Sequence, residues 1–301
     1  MNDAAGKSAQ RARPILPAPS AAGFTLVELV VTLTISVIVV SFAAMFVSGP
    51  VQGFADQSRR LRLVDAADSA LRRLGRDVRR ALPNSVRTTV SGGIAAVELL
   101  GTVDGARYRE QPPGSADQIL DFSAADGSFN VIGPFTQVVK PFSSTSHYLA
   151  IYNVGVPGAD AYALADVITP AGTQIDIADD AFAGEDRVTV APAFRFGYGS
   201  PTKRVYLLDG PISYLCDPVT RTLTRYSGYT IAASQADRDS PAELIGAGAT
   251  AALMADRLAS CAFTYAPGTA ERSALLTMAL TLSESGESID LLAQVHVDNA
   301  P

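Results

Sequence analysis

Two histidines and two cysteines are all that 301 residues supply of the side chains most used for metal ligation and nucleophilic relay. His147, His296, Cys216 and Cys261 show no zinc-ligand spacing, so a resident metal is not expected. No G-x-x-x-x-G-K-[ST], G-x-S-x-G or H-E-x-x-H run occurs, which removes the usual nucleotide, hydrolase and zinc-protease signatures. Both histidines sit in strand-like runs, where a packing or edge role outweighs a Ser-His-Asp relay. The glycine-rich stretch 246–248 lacks a strand–helix frame for phosphate and reads as a loop. A net charge of −6 argues against a general nucleic-acid binder. The expectation is a chain with no catalytic residues and no cofactor.

Charge is scarcest in one stretch. Phe24 to Val47 is 24 residues long with a single ionisable side chain, Glu28. As a helix it is about 36 Å long, enough to cross a hydrocarbon core of about 30 Å with some tilt. The run is longer than the apolar core of a secretory signal, and no A-x-A-like site follows it. Small residues, Ala21, Ala22 and Gly23, precede it instead. This pattern predicts a span kept in the mature chain, with a leader removed in front of it. Lys7, Arg11 and Arg13 against Asp3 give the leader +2. Its loss takes the chain from −6 to −8. Basic residues ahead of the span hold the N-terminus in the cytoplasm and send the rest across the inner membrane. A carboxylate in such a span costs about 2.5–3.5 kcal/mol at the bilayer centre, so Glu28 needs a reason. Snorkelling to the headgroups is one. Another is a cation: cleavage after Gly23 creates an α-amine on Phe24 that can meet Glu28 of a neighbouring subunit.

Beyond the span, Gly49-Pro50 suggests a flexible joint. Leu61, Val64, Ala67, Leu71, Leu74, Val78 and Leu82 then recur at helical spacing, and Pro83-Asn84 should end the helix. Eight arginines with four interspersed aspartates fill the other faces between 56 and 80, reading as a solvated face around a core-packing stripe. From Ser85 onward short β-rich runs alternate with turn clusters. Candidate strands are 95–100, 147–153, 204–208 and 222–226. Residues 276–282 and 289–297 alternate large apolar and other side chains around a turn at 283–287, predicting an antiparallel hairpin with one buried face. Asp176, Asp179, Asp180, Glu185 and Asp186 form an acidic stretch read as a solvated loop, with calcium binding as the alternative. Cys216 and Cys261, in an exported domain, read as a disulfide, with two free buried thiols as the alternative.

The run G-F-T-L-V-E at 23–28, set against an apolar span, resembles the class III signal of type IV prepilins and type II secretion pseudopilins. The resemblance implies cleavage after Gly23 and N-methylation of Phe24 by a prepilin peptidase/N-methyltransferase, with Glu28 as the subunit-docking acid. It also implies a pilin-like α+β fold, whose long N-terminal helix packs its second half on a mainly antiparallel β-sheet head. The organisation expected is a leader at 1–23, a transmembrane helix at 24–48, an amphipathic helix at 49–83 and a β-rich periplasmic head at 84–301. R-R-A-L-P-N-S-V-R (79–87), Y-L-C-D-P-V-T-R-T-L-T-R-Y-S-G-Y (214–229) and Q-V-H-V-D-N-A-P (294–301) are similar to stretches of minor pilin-like subunits of mannose-sensitive haemagglutinin (MSHA) pilus biogenesis. Implied partners are other major and minor pilins, the inner-membrane assembly platform with its ATPase, and inner-membrane lipid. A J-like type II secretion pseudopilin is the near alternative. A membrane-tethered adhesin, using loops around 111–146, is the distant one.

Overall fold

The computed structural model describes residues 23–111, 118–268 and 273–300. Of the leader expected at residues 1–23, all but Gly23 lies outside them. The chain divides into two compact units, Met1–Ala55 and Asp56–Pro301, and helix α1 (Leu26–Arg79) contributes to both. The helix runs through Pro50, so the joint expected at Gly49-Pro50 is helical. Proline removes one backbone donor there, and the helix continues past it.

Within the second unit, α1 buries Leu63, Ala67, Ala70, Leu71, Leu74 and Val78. Two members of the expected stripe are misplaced: Leu61 is 63% exposed and Val64 38%. For Leu61 the phase explains it. Leu63 stands four residues before Ala67, on the same face, whereas Leu61 stands six before it, on the far side of a 3.6-residue turn. Gly75 is buried in this face, and a Cβ there would lie 3.2 Å from Val295 Cγ2. At Gly75 the helix approaches the sheet closely enough that a larger residue would require Val295 to shift by a few tenths of an ångström.

The helix stops at Arg79, short of the expected boundary at 83. The next residues are taken by a strand: Leu82 N–H donates to Leu100 O at 2.8 Å, and Thr102 N–H donates to Arg80 O at 2.9 Å. Pairing with the sheet wins over one more helical turn because it satisfies the same backbone groups and buries Leu82.

Among the described residues the head holds two antiparallel sheets. The larger has ten strands: β1 (Arg87–Ser91), β2 (Ile94–Tyr108), β3 (Asp126–Ile132), β4 (Phe142–Ser144), β5 (Tyr148–Ala150), β6 (Gln174–Asp179), β7 (Glu185–Phe194), β8 (Arg204–Asp217), β9 (Thr222–Ser227) and β10 (Thr250–Ala255). Its order is β10-β9-β8-β2-β3-β7-β6-β4, with β1 on β2 and β5 on β8. The smaller sheet is β11 (Leu258–Ala266), β12 (Ala274–Glu284) and β13 (Glu287–Val297), in that order. The candidate strands at 95–100, 204–208 and 222–226 fall inside β2, β8 and β9. The one at 147–153 shrinks to Tyr148–Ala150. Beyond it, Tyr152 has φ +58, which takes the chain out of the extended region.

The expected C-terminal hairpin is present, with an unbroken register from Glu284↔Glu287 to Ala274↔Val297. Its two-residue turn, Ser285 (φ 49) and Gly286 (φ 88), has the paired positive φ of a type I′ turn, whose twist matches the strands. Ala274, Leu276, Met278, Leu280 and Leu282 of β12 are all buried, one face of a period-two strand. They join the α1 stripe, with Val97, Leu99, Ile212, Tyr214 and Leu223 of the large sheet, in one core. The stretch 246–248, expected as a plain loop, is the end and exit of a short helix, α2 (Pro241–Gly246). Ser240 and Glu243 form a reciprocal capping box at its start.

Candidate functional site

The residues singled out at the N-terminus occupy the start of α1. Gly23, Phe24 and Thr25 lead into the helix, and Phe24 is 77% exposed. Glu28 stands in the first turn, and its backbone N–H donates to Thr25 Oγ1 at 3.2 Å. Thr25 is thus the N-cap of the helix, with Glu28 at the third helical position. The T-x-x-E pattern of residues 25–28 is the sequence signature of that arrangement, a signal that the reading for charge alone passes over. A carboxylate in the first turn also lies at the positive end of the helix dipole. The local fold therefore gives Glu28 a favourable place at the mouth of the span, with its side chain exposed.

The rest of the segment exposes apolar surface without interruption. Leu26, Val27, Leu29, Val30, Leu33, Ile35, Val37, Ile38, Phe42, Phe46 and their neighbours cover nothing within the structure. Mean hydropathy over the best 18-residue window is 2.6, and none of that window is buried. Three hydroxyls within it are satisfied internally: Thr32 Oγ1 donates to Glu28 O at 2.8 Å, Thr34 Oγ1 to Val30 O at 2.9 Å and Ser41 Oγ to Val37 O at 2.7 Å. Thr32, Thr34 and Ser41 therefore need no water for these groups, as a helix in lipid requires. Among the described residues this is one helix long and apolar enough to span a membrane.

At the other end of α1 two charged clusters fasten the helix and its exit to the large sheet. Asp77 Oδ2 accepts from Tyr214 Oη and from Arg225 Nε, each at 2.7 Å, with Arg73 Nε 3.4 Å from Oδ1. Burial and the facing Asp77 carboxylate push the Tyr214 phenol well up, so it is a donor at any physiological pH. Arg87 pairs with Glu98, Nε to Oε2 at 2.7 Å, and donates to the carbonyls of Ala232 and Ala233. Its guanidinium lies 3.5 Å over the Tyr162 ring. Glu98, fully buried, also accepts from Tyr229 Oη at 2.9 Å. Desolvation raises the Glu98 carboxyl above its ordinary value, and Arg87 opposes the shift.

The remaining sequence candidates are structural. The acidic stretch at 176–186 is a hairpin between β6 and β7, which corrects the solvated-loop reading. Glu185 is buried against Arg109 and accepts from Asn130 Nδ2 at 3.0 Å. The Arg109 guanidinium holds its carboxyl below the usual range. Asp186, fully buried, accepts from Lys140 Nζ at 2.7 Å and from the Phe135 N–H at 2.8 Å. Glu185 and Asp186 are thus committed to cations and amides, and no group of three or more metal-ligating side chains converges among the described residues. His147 lies just before β5, with Nδ1 2.7 Å from Ser144 Oγ, while His296 lies on β13 of the other sheet. The two histidines do not share a site with the cysteines. Cys216 on β8 and Cys261 on β11 are joined, Cα–Cα 6.5 Å, so the disulfide ties the large sheet to the small one.

Of the sequence candidates, the N-terminal segment is the one that is exposed, polarised and unexplained by packing. No curated protein and no solved structure matches the chain. Residues 19–44 match the prokaryotic N-terminal methylation motif, which makes this segment a type IV prepilin-like signal.

Proposed function

We propose that the chain is a minor pilin-like subunit of an MSHA-type type IV pilus, with a structural and priming role and no catalysis of its own. The observation that carries the reading is the methylation motif at 19–44, set on a helix whose apolar surface is wholly exposed. In this reading a prepilin peptidase cuts after Gly23 and methylates the amine of Phe24. The head is then held outside the inner membrane by the span. During assembly the apolar helix leaves lipid for the helices of other major and minor pilins at the assembly platform, and Glu28 meets the amine of a neighbour. Docking of that kind replaces an exposed carboxylate by an ion pair in a low-dielectric bundle, where the pairing is strongest. The MSHA assignment rests on the resemblance at 79–87, 214–229 and 294–301. The first of these is shared with J-like secretion pseudopilins, which keeps a type II secretion role as the second reading.

The test is N-terminal peptide mass spectrometry of the chain from membranes, with and without the prepilin peptidase. The expected result is a peptidase-dependent terminus at Phe24 carrying one added methyl group. A terminus at Met1 in both samples overturns the reading and leaves a single-pass anchor bearing a β-rich head.

A further inference from the structure

The sheet edges of the head are not treated alike. At one end of the large sheet β4 has three residues and follows Pro141. At the other, β10 is broken by a bulge between Leu253 and Ala255. Short strands, prolines and bulges are the usual means of keeping an edge from pairing with another chain. The small sheet ends on β13, which has none of them. It runs eleven residues, Glu287–Val297, without proline, lysine or arginine, and its register on β12 has no shift. No second strand pairs with it among the described residues.

The hairpin turn fixes which backbone groups are free. Residues flanking a two-residue turn exchange both their backbone hydrogen bonds, so Glu287 and every second residue after it face β12. The N–H and C=O groups of Ser288, Asp290, Leu292, Gln294 and His296 therefore point to the open edge. The side chains of these same five residues are exposed, and Leu292 among them is 67% exposed.

We propose that β13 pairs with β13 of a second copy of this chain, antiparallel about a two-fold axis at Leu292. The strand is self-complementary in that register. Leu292 is its midpoint, so all eleven residues overlap. The axis sets the exposed Leu292 against its counterpart, Asp290 against Gln294, and Ser288 against His296. No like charges are opposed. A shift that centres the axis on Asp290 sets two carboxylates face to face, and one centred on Gln294 separates the leucines. The five free residues are the ones whose backbone groups form such a ladder, joining two small sheets into one of six strands. A closed, isologous pair uses up both open edges, so it limits itself to two copies.

The register makes the pairing testable by single cysteines in full-length chain in native membranes, with the 216–261 disulfide left intact. With a short thiol-to-thiol crosslinker, L292C gives a crosslinked dimer, and a mixture of S288C and H296C chains crosslinks while S288C alone does not. L253C on the bulged edge gives none. L292K opposes two cations at the axis and weakens self-association by at least about tenfold, read by energy transfer between labelled copies. Two results overturn the pairing: no crosslink at 292, or a dimer that L292K leaves intact, which places association on the apolar helix instead. These readouts do not depend on cleavage at Gly23, so they stand or fall apart from the proposed pilin role.

Discussion

Asn84 and Asn299, 215 residues apart, hydrogen-bond to each other twice: the Asn84 N–H donates to Asn299 Oδ1 and Asn84 Nδ2 donates to Asn299 O, both at 3.0 Å. Asn84 Nδ2 also reaches Asn153 O at 2.9 Å, Asn153 Nδ2 donates to Pro83 O at 2.7 Å, and Asn299 Nδ2 donates to Tyr265 Oη at 2.9 Å. The turn that leaves the helix is thus sealed by the last residues of the chain.

Replacing these asparagines should cost stability in a definite order. Asn299→Ala removes two side-chain bonds and is expected to cost about 1–2 kcal/mol. Asn84→Ala removes the amide bonds and also places alanine at φ 59, so it should cost more, about 2–4 kcal/mol. Asn84→Gly restores the backbone freedom without the bonds and should fall between alanine and wild type. Urea unfolding followed by tyrosine signal orders the three. Equal losses for glycine and alanine at 84 would show that the backbone conformation carries no part of the effect.

How much of this was legible in the sequence depends on range. The β12–β13 hairpin was, because its apolar period of two and its Gly286 turn are contained in some twenty neighbouring residues. The helical stripe was legible in period and, from Ala67 to Leu82, in phase; at its start Leu61 and Val64 look as apolar as the buried Leu63. The helix end was missed because Leu82 and Thr102 N–H groups pair across the β2 segment, a competition no local rule sees. The acidic stretch at 176–186 reads as solvated only while Arg109 and Lys140, some 40 to 80 residues earlier, are left out. At the N-terminus the methylation motif and the long apolar helix were readable because both lie in one continuous stretch of sequence. The three resemblance stretches gain sense together: Arg87 of the first pairs with Glu98, which bonds Tyr229 of the second, and Asn299 of the third closes on Asn84.

The Glu98 carboxyl gives the head a pH dependence with a definite sign. Burial raises its native value above the ordinary 4.5, so the folded state holds the proton more tightly than the unfolded one. Its contribution to stability is therefore greatest below about 4.5 and declines as pH rises through the native value. Glu98→Gln removes the titration while keeping acceptor oxygen for Tyr229. The stability of wild type minus that of the variant should fall between pH 4 and pH 7, measured by urea midpoints. Arg87→Met leaves the buried carboxylate unpaired and should cost about 3–5 kcal/mol at pH 7, with much of that recovered by adding Glu98→Gln. A flat difference across pH sinks this account.

The disulfide joins strands of different sheets across 45 residues of chain. In the loop-entropy model, closing a loop of that size stabilises by about 4 kcal/mol. Cys216→Ala with Cys261→Ala should therefore lower the unfolding free energy by roughly that amount, less whatever the buried alanine methyls restore. Reduction of wild type should move its urea midpoint to that of the double variant. A double variant as stable as wild type would mean that the shared core alone holds the small sheet in place.

Glu28 separates the docking reading from a purely local one. As the third residue of a helix capped by Thr25, it stabilises the first turn by about 0.3–1 kcal/mol through the dipole, and glutamine keeps part of that. If its role is local, Glu28→Gln should behave nearly as wild type, and Thr25→Ala should be the more harmful change. If it pairs with a neighbour's amine, removal of the charge is what matters, and Glu28→Gln should fail as badly as Glu28→Ala. The measurement is the amount of each variant in sheared fibres relative to the membrane pool, with cleavage checked in the same samples. For both charge-removing variants we expect normal membrane insertion and a loss of at least about tenfold in the fibre fraction, the equivalent of about 1.4 kcal/mol. Glu28→Asp, which keeps the charge on a shorter arm, should recover part of it. Incorporation of Glu28→Gln at the wild-type level would assign Glu28 to capping the helix and leave subunit docking to the apolar surface.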